Sequence, residues 1–226
     1  MDERDDAIAI LGGTGAQGLG LALRFARAGR SVVIGSRQAE KAQRAVKEVS
    51  QAVPEARVTG FENPEATRKA GIVILSVPFE HTTGTVKAIR EALDPGQILV
   101  SMGVPLADAV GDGATRTLGV WQGSCAELVK SLVPDSVEVV SAFQNVSAHR
   151  LRALDQPVEC DVVISGPKAA RERIMALCPL VLGLRAVDGG PLSNARIVEQ
   201  LTALMIGLNI RHRVPEGVGI RFTGLD

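Results

Sequence analysis

Ala7-Ile8-Ala9-Ile10-Leu11 runs without a break into Gly12-Gly13-Thr14-Gly15-Ala16-Gln17-Gly18, and apolar residues then recur at helical spacing from Leu19 to Ala28. A buried strand that breaks on glycines and reopens as a helix leaves few folds available. Gly13, Gly15 and Gly18 have the G-x-G-x-x-G spacing, and each glycine has its own physical reason. Gly13 permits a tight turn, Gly15 lets a pyrophosphate approach the backbone, and Gly18 lets helix and strand pack closely. The helix start would present unpaired N–H groups and a positive dipole end to the phosphates. The bland alternative is a glycine-rich turn with no ligand.

The rest of the chain repeats the alternation. Strands are predicted at Ser31–Ile34, Ile72–Val77, Ile98–Met102 and Val137–Phe143, and helices at Gln38–Ala52, after Pro78 and at Ala126–Leu132. Such alternation predicts an α/β fold, a Rossmann-type doubly wound parallel sheet. Beyond it lie a strand at Asp161–Ile164, a helix at Arg171–Val181, a long aliphatic helix at Leu192–Ile210 and an irregular Gly217–Phe222. The expected division is a nucleotide-binding domain over 1–147 and a small C-terminal α/β domain over 148–226. The second is too small for a large core of its own, so it should pack on the first or on a partner subunit.

The second strand runs into Gly35-Ser36-Arg37, with Lys41 one helical turn on. An enzyme selective for NAD puts a carboxylate here for the ribose 2′-OH. This chain has a hydroxyl and two cations instead, which suit the 2′-phosphate of NADP. The alternative, a solvated helix start, has cations opposing the helix dipole. The strand at Ile72–Val77 closes on Pro78-Phe79-Glu80-His81, at the carboxyl edge where ligands of open α/β sheets bind. Phe79 could cover adenine or ribose, or simply pack the helix start. His81 reads more readily as a surface or capping residue than as a catalyst.

Leu11-Gly12-Gly13-Thr14-Gly15, Gly35-Ser36-Arg37 with Lys41, Val77-Pro78-Phe79-Glu80-His81, Gly190-Pro191-Leu192-Ser193-Asn194-Ala195-Arg196 and the terminal Gly217–Phe222 together resemble the NADPH-dependent reductases of coenzyme F420, a deazaflavin hydride carrier. The resemblance covers nearly the whole chain. It implies hydride transfer between NADP(H) and F420, held in a cleft between the two domains. It implies pyrophosphate contacts at Thr14, Gly15, Ala16 and Gln17, 2′-phosphate contacts at Ser36, Arg37 and Lys41, and further NADP contacts at Phe79, Thr83 and Ala148. There is one departure: Ser141-Ala142-Phe143-Gln144-Asn145 has Gln144 where the family pattern has His. Gln144 and Asn145, at a strand end, and Ser193 and Asn194, at a helix start, are the expected acceptor contacts. Ser193 reads equally well as a plain helix cap.

Lys and Arg number 25 and so do Asp and Glu, which gives no basic field for nucleic acid or acidic membranes. Cys125, Cys160 and Cys178 show no metal-ligand spacing and read as reduced, buried thiols. The charged run Met1–Asp6 is not a secretory leader, and no apolar run reaches membrane-spanning length, so a cytoplasmic protein is expected. A homodimer is the expected assembly. No triad, metal cluster or carboxylate pair stands out, so no catalytic acid or base is assigned; the two carriers hold the hydride chemistry between them. The competing readings are an NADP-dependent reductase of another acceptor, such as a ferric chelate, flavin or imine, and a non-catalytic NADP(H)-binding redox sensor.

Overall fold

Four apolar runs become the centre of a six-stranded, wholly parallel sheet in the order β3-β2-β1-β4-β5-β6. The computed structural model describes residues 3–225; Met1 and Asp2 of the charged N-terminal run, and Asp226, lie outside it. A short α1 (Glu3–Asp6) leads to β1 (Ile8–Leu11), α2 (Ala16–Arg27), β2 (Val32–Ser36), α3 (Ala39–Ala52) and β3 (Val58–Glu62). Then come α4 (Asn63–Arg68), β4 (Ile72–Leu75), α5 (Phe79–Ile89), β5 (Ile98–Ser101), α6 (Cys125–Leu132) and β6 (Glu138–Ser141).

Side chains alternate across each strand, and here both faces are covered. Ile8 and Ile10 of β1 face the core under α2 and α3, whereas Ala9 and Leu11 face the core under α4, α5 and α6. That is why the strands read as unbroken apolar runs. β3 and α4 are absent from the sequence-based expectation. β3 is an edge strand, mostly half-buried or exposed and broken by Gly60; α4 has only six residues, with a proline in its first turn.

After β6 the chain forms α7 (Ala148–Arg152), β7 (Cys160–Ile164), α8 (Lys168–Met175), β8 (Leu184–Asp188) and α9 (Ala195–His212). The helix expected over Arg171–Val181 is α8 plus a separate 3-10 turn at Cys178–Leu180, since Pro179 cannot continue an α-helix. β7 and β8 make a two-stranded parallel sheet. Val158, Cys160, Val162 and Ile164 join the same apolar core as Ile8 and Phe25. The irregular end of the chain is tied down by Asp161, which is fully buried. It accepts from both Arg185 and Arg221 and from the Phe222 amide, and the Arg185 hydrogen bonds hold its carboxyl below the usual range. No helix among the described residues is long and apolar enough to cross a membrane.

α9 returns across the molecule and plugs the start of α6. Glu199, 2% exposed, accepts from the Cys125 amide at 2.8 Å and the Ala126 amide at 3.1 Å. These are orphan donors of a helix N-terminus. Burial pushes the Glu199 carboxyl up to about 7, with Glu127 adding repulsion. A folded-state pKa above the unfolded one means that the folded protein holds a proton that the unfolded chain releases. Stability from this site is therefore complete below the ordinary value of 4.5 and is lost as pH rises toward 7. Replacing Glu199 with Gln keeps an acceptor and removes the titration. Melting curves of wild type and Glu199→Gln should diverge as pH increases across this window, with wild type losing stability relative to the variant; parallel curves would contradict the assignment.

Candidate functional site

The chain crosses from one half of the sheet to the other between β1 and β4, and the loops leaving these two strands frame a cleft. This is the switch point where ligands of open α/β sheets bind. The turn after β1 is built by exclusion. Gly12 has φ +77°, and a Cβ there would collide with the Ser76 carbonyl. It is thus Gly12, rather than Gly13, that carries the left-handed turn; Gly13 is needed because a Cβ would sit 2.8 Å from the Ile10 carbonyl oxygen. A Cβ on Gly18 would lie 2.8 Å from the Gly12 oxygen, so this glycine sets helix-to-strand packing as expected.

Gly15 is different. Its φ is −81°, and beyond its chain neighbours a Cβ would meet only the Gly12 oxygen, at 3.4 Å. The fold tolerates a side chain there, and what it would fill is the cleft. Gly15 is also the N-cap of α2, with no side-chain cap and no acid in the first turn. A bare helix start of this kind is suited to an anion. The Gln17 side chain takes no part in it, because Nε2 donates to the Phe143 and Val146 carbonyls at 3.0 and 3.1 Å. Only its backbone faces the turn.

A cavity of about 600 Å³ extends from Thr14 and Gly15 to Ser36, Arg37 and Lys41, with Asn63 and His81 also on its wall. Ser36 is buried at the end of β2, and its Oγ accepts from the Gln38 amide at 3.4 Å. Arg37 and Lys41 are exposed, and neither has an ion-pair partner among the described residues. Two unpaired cations beside a bare helix end and a hydroxyl fit a phosphorylated nucleotide.

A second cavity, of about 400 Å³, shares Gly15, Ser76, Val77 and Pro78 with the first and continues past Phe79 to Met102, Gly103, Gln144 and Thr202. A third, of about 340 Å³, adjoins it through Gln17, Gln144 and Thr202 and is lined by Asn145 and Ala148. Gln144 is buried; Nε2 donates to Ser141 Oγ, its main-chain oxygen accepts from Thr202, and Oε1 has no partner. Asn145 Nδ2 donates to the Asp161 carbonyl, which leaves Oδ1 likewise unpartnered. Thr83, half-buried on α5, lines none of these cavities.

Ser193 and Asn194 also stand apart from the cleft. They form a 3-10 turn ahead of α9, exposed, and line none of these cavities. The Asn194 side chain donates to the Gly189 carbonyl and the Ser193 oxygen accepts from Arg196, so Ser193 caps nothing through its side chain. The start of α9 is held against α6 by Arg196–Glu127 and by Glu199. Thr202, further along α9, reaches the cleft instead. Nothing in local sequence marks Thr202 or Asn63; Ser76, Met102 and Gly103 follow strand ends and were open to recognition by position.

Residues 7–105 match the family described as NADP oxidoreductase, coenzyme F420-dependent. The F420-dependent NADP reductase of Methanocaldococcus jannaschii is 46% identical over 97% of this chain and 99% of its own length. That of Methanothermobacter thermautotrophicus is 42% identical over 96% and 95%. The chain belongs to the F420-dependent NADP reductases. A crystal structure of an Arthrobacter sp. FB24 protein, described as a candidate member, superposes with a TM-score of 0.79 at 22% identity, over 96% of this chain and all of that one, and shares the fold. In this family member the three cavities form one cleft from the end of β2 to the C-terminal helix.

The glycine geometry separates two kinds of substitution. Gly15→Ala should melt near wild type and yet weaken NADPH by about tenfold or more, since only the cleft is invaded. Gly18→Ala should lower the melting temperature itself. Calorimetry and thermal melts on both proteins check this; unchanged NADPH affinity in Gly15→Ala would remove the turn from the site.

Proposed function

We propose that this chain transfers a hydride between NADP(H) and coenzyme F420, reading its family's reaction into the cleft just described. The observation that carries the reading is the continuity of that cleft: cations and a hydroxyl at one end, a bare helix start in the middle, and a mostly neutral chamber at the other. Thr14, Gly15, Ala16 and Gln17, through their backbone, would hold the pyrophosphate, with Gly13 and Gly18 shaping the turn. Ser36, Arg37 and Lys41 would hold the 2′-phosphate. Pro78 and Phe79 would flank the chain of the cofactor toward the nicotinamide, with Thr83 and Ala148 as outlying contacts. Gln144 and Asn145 would meet the acceptor, with Thr202 in the place expected of Ser193 and Asn194.

When both carriers are bound, the hydride passes between their rings, and the protein's task is placement and exclusion of water. The chamber supplies Met102 and Val77 as apolar walls and the Gln144 amide as a polar one. No catalytic acid or base is assigned. Residues 1–147 and 148–226 serve as nucleotide and acceptor portions. We read the assembly as a cytoplasmic homodimer, supported by the exposed apolar Ile197, Leu204 and Ile210 on α9.

Mixing the protein with NADPH and oxidised F420 should bleach the deazaflavin absorbance; no bleaching would refute the acceptor. Arg37→Ala should raise the NADPH dissociation constant by about tenfold to a hundredfold, the value of one or two charge-assisted hydrogen bonds. NADH affinity should stay nearly constant. Equal weakening of both cofactors would show that Arg37 supports the fold rather than the phosphate.

A further inference from the structure

The second and third cavities differ in charge. The second, where the acceptor ring would lie, has Glu80 and Asp108 as its ionisable lining residues, and both are exposed. The third, which adjoins it through Gln17, Gln144 and Thr202, has a single ionisable lining residue, His149, exposed on α7. Cations stand around its rim. Arg213, exposed, follows Asn209 and precedes Pro215, both lining residues, and its amide donates to the Asn209 carbonyl. Arg150 donates through Nε to the carbonyl of Gly217, another lining residue, at 2.6 Å. None of His149, Arg150 and Arg213 enters an ion pair among the described residues. Against them, the two segments that form this rim, 145–150 and 209–218, carry one acid, the exposed Glu216.

Coenzyme F420 carries its charge at one end: the deazaflavin ring bears a ribityl chain that runs on into a phosphodiester and glutamate carboxylates. A ring held in the second cavity leaves this anionic tail two ways out. Past Glu80 and Asp108 it meets like charge, and past His149 and Arg213 it meets opposite charge. An imidazole N–H can donate to a phosphodiester oxygen, and a guanidinium can take phosphate or carboxylate oxygens in pairs. Cations at the end of α9 also suit the helix dipole by themselves. That plainer account leaves out His149, which sits on a different helix, and it predicts no effect on the acceptor. We propose that the anionic tail of F420 leaves the ring chamber through the third cavity and is held at its mouth by His149 and Arg213. The proposal rests on the reading that F420 is the acceptor in this cleft.

The test compares F420 with its tailless chromophore, the same deazaflavin with a ribityl chain and no phosphate. Dissociation constants for both are measured by fluorescence titration in the presence of NADP⁺, so that no hydride moves. The proteins are wild type, a His149→Gln/Arg213→Asn double variant and a Glu80→Gln/Asp108→Asn double variant. Asparagine suits the φ of +53° at position 213, and His149 and Arg213 are both exposed, so the fold should be kept. Wild type should bind F420 about tenfold or more tighter than the chromophore. Without the two cations this ratio should fall toward one, while affinity for the chromophore stays as in wild type. Added salt should shrink the wild-type ratio and leave chromophore binding nearly constant. A ratio that is the same in wild type and in the His149/Arg213 variant would overturn the proposal and leave those cations as helix-end charge. A ratio that rises more in the Glu80/Asp108 variant than it falls in the other would also overturn it, because the tail then leaves on the acidic side. Failure of the underlying reading looks different: neither deazaflavin binds to any of the three proteins. Chromophore binding with a flat ratio would remove only the tail path.

Discussion

Helix α2 is the constraint on which the other parts depend, because opposite ends of it serve different masters. Its start is the bare turn that would meet the pyrophosphate. Its body carries two glycines that allow close approach on two sides: Gly18 against the β1 turn, and Gly20 where a Cβ would come 2.6 Å from Leu151 of α7. On either side of these contacts Gln17 holds the loop after β6, and Arg24 holds the end of α7. Arg24 is buried and has no ion-pair partner among the described residues; it donates instead to the carbonyls of Arg150, Leu151, Ala153, Leu154 and Gln156. These carbonyls lie at the end of α7 and in the loop beyond it, where main-chain partners run out for most of them. A guanidinium, planar with five donors, can gather that many carbonyls, and lysine could not.

The nucleotide portion and the C-terminal portion are therefore positioned by one rigid rod. Gln144 and Asn145, the proposed acceptor contacts, lie in the loop that Gln17 tethers, so their distance from the glycine turn is set within α2. Hydride transfer is steeply sensitive to how the two rings are placed. A scaffold that ties both ends of the cleft to one helix would meet that demand by placement.

How much of this is legible in the sequence depends on whether the signal is local. β1, β2, β4 and β5 are covered on both faces, so their apolar runs stand out. β3 escapes notice because Val58-Thr59-Gly60-Phe61-Glu62 is an edge strand with a weak pattern, and β8 because Arg185 and Asp188 break its apolar run while serving ion pairs. Asn63 disappears with β3: a residue cannot be placed at a strand end when the strand is unseen. That Ser36, Arg37 and Lys41 gather on one cavity is legible from their position relative to the second strand. Ser193 and Asn194 are misplaced by the expectation that their helix start faces the cleft. Its direction is decided by the tertiary contact of Glu199 with α6, which no periodicity records.

That contact also explains how the C-terminal helix serves the cleft without being rooted in it. The N-terminus of α6 lies at the carboxyl edge of the sheet; Ser124 caps the Glu127 amide, which leaves the Cys125 and Ala126 amides to be satisfied. The Glu199 carboxyl accepts from both of those amides, so the start of α6 is satisfied from within the chain. The carboxylate is expensive to bury, as its raised pKa records. The cost fixes α9 in both register and rotation: Thr202 lies three residues on, close to one helical turn, and therefore projects from nearly the same face as Glu199. There its hydroxyl reaches the Gln144 carbonyl at 3.2 Å. One buried carboxyl thus completes the start of α6 and orients the stretch of α9 that lines the second cavity.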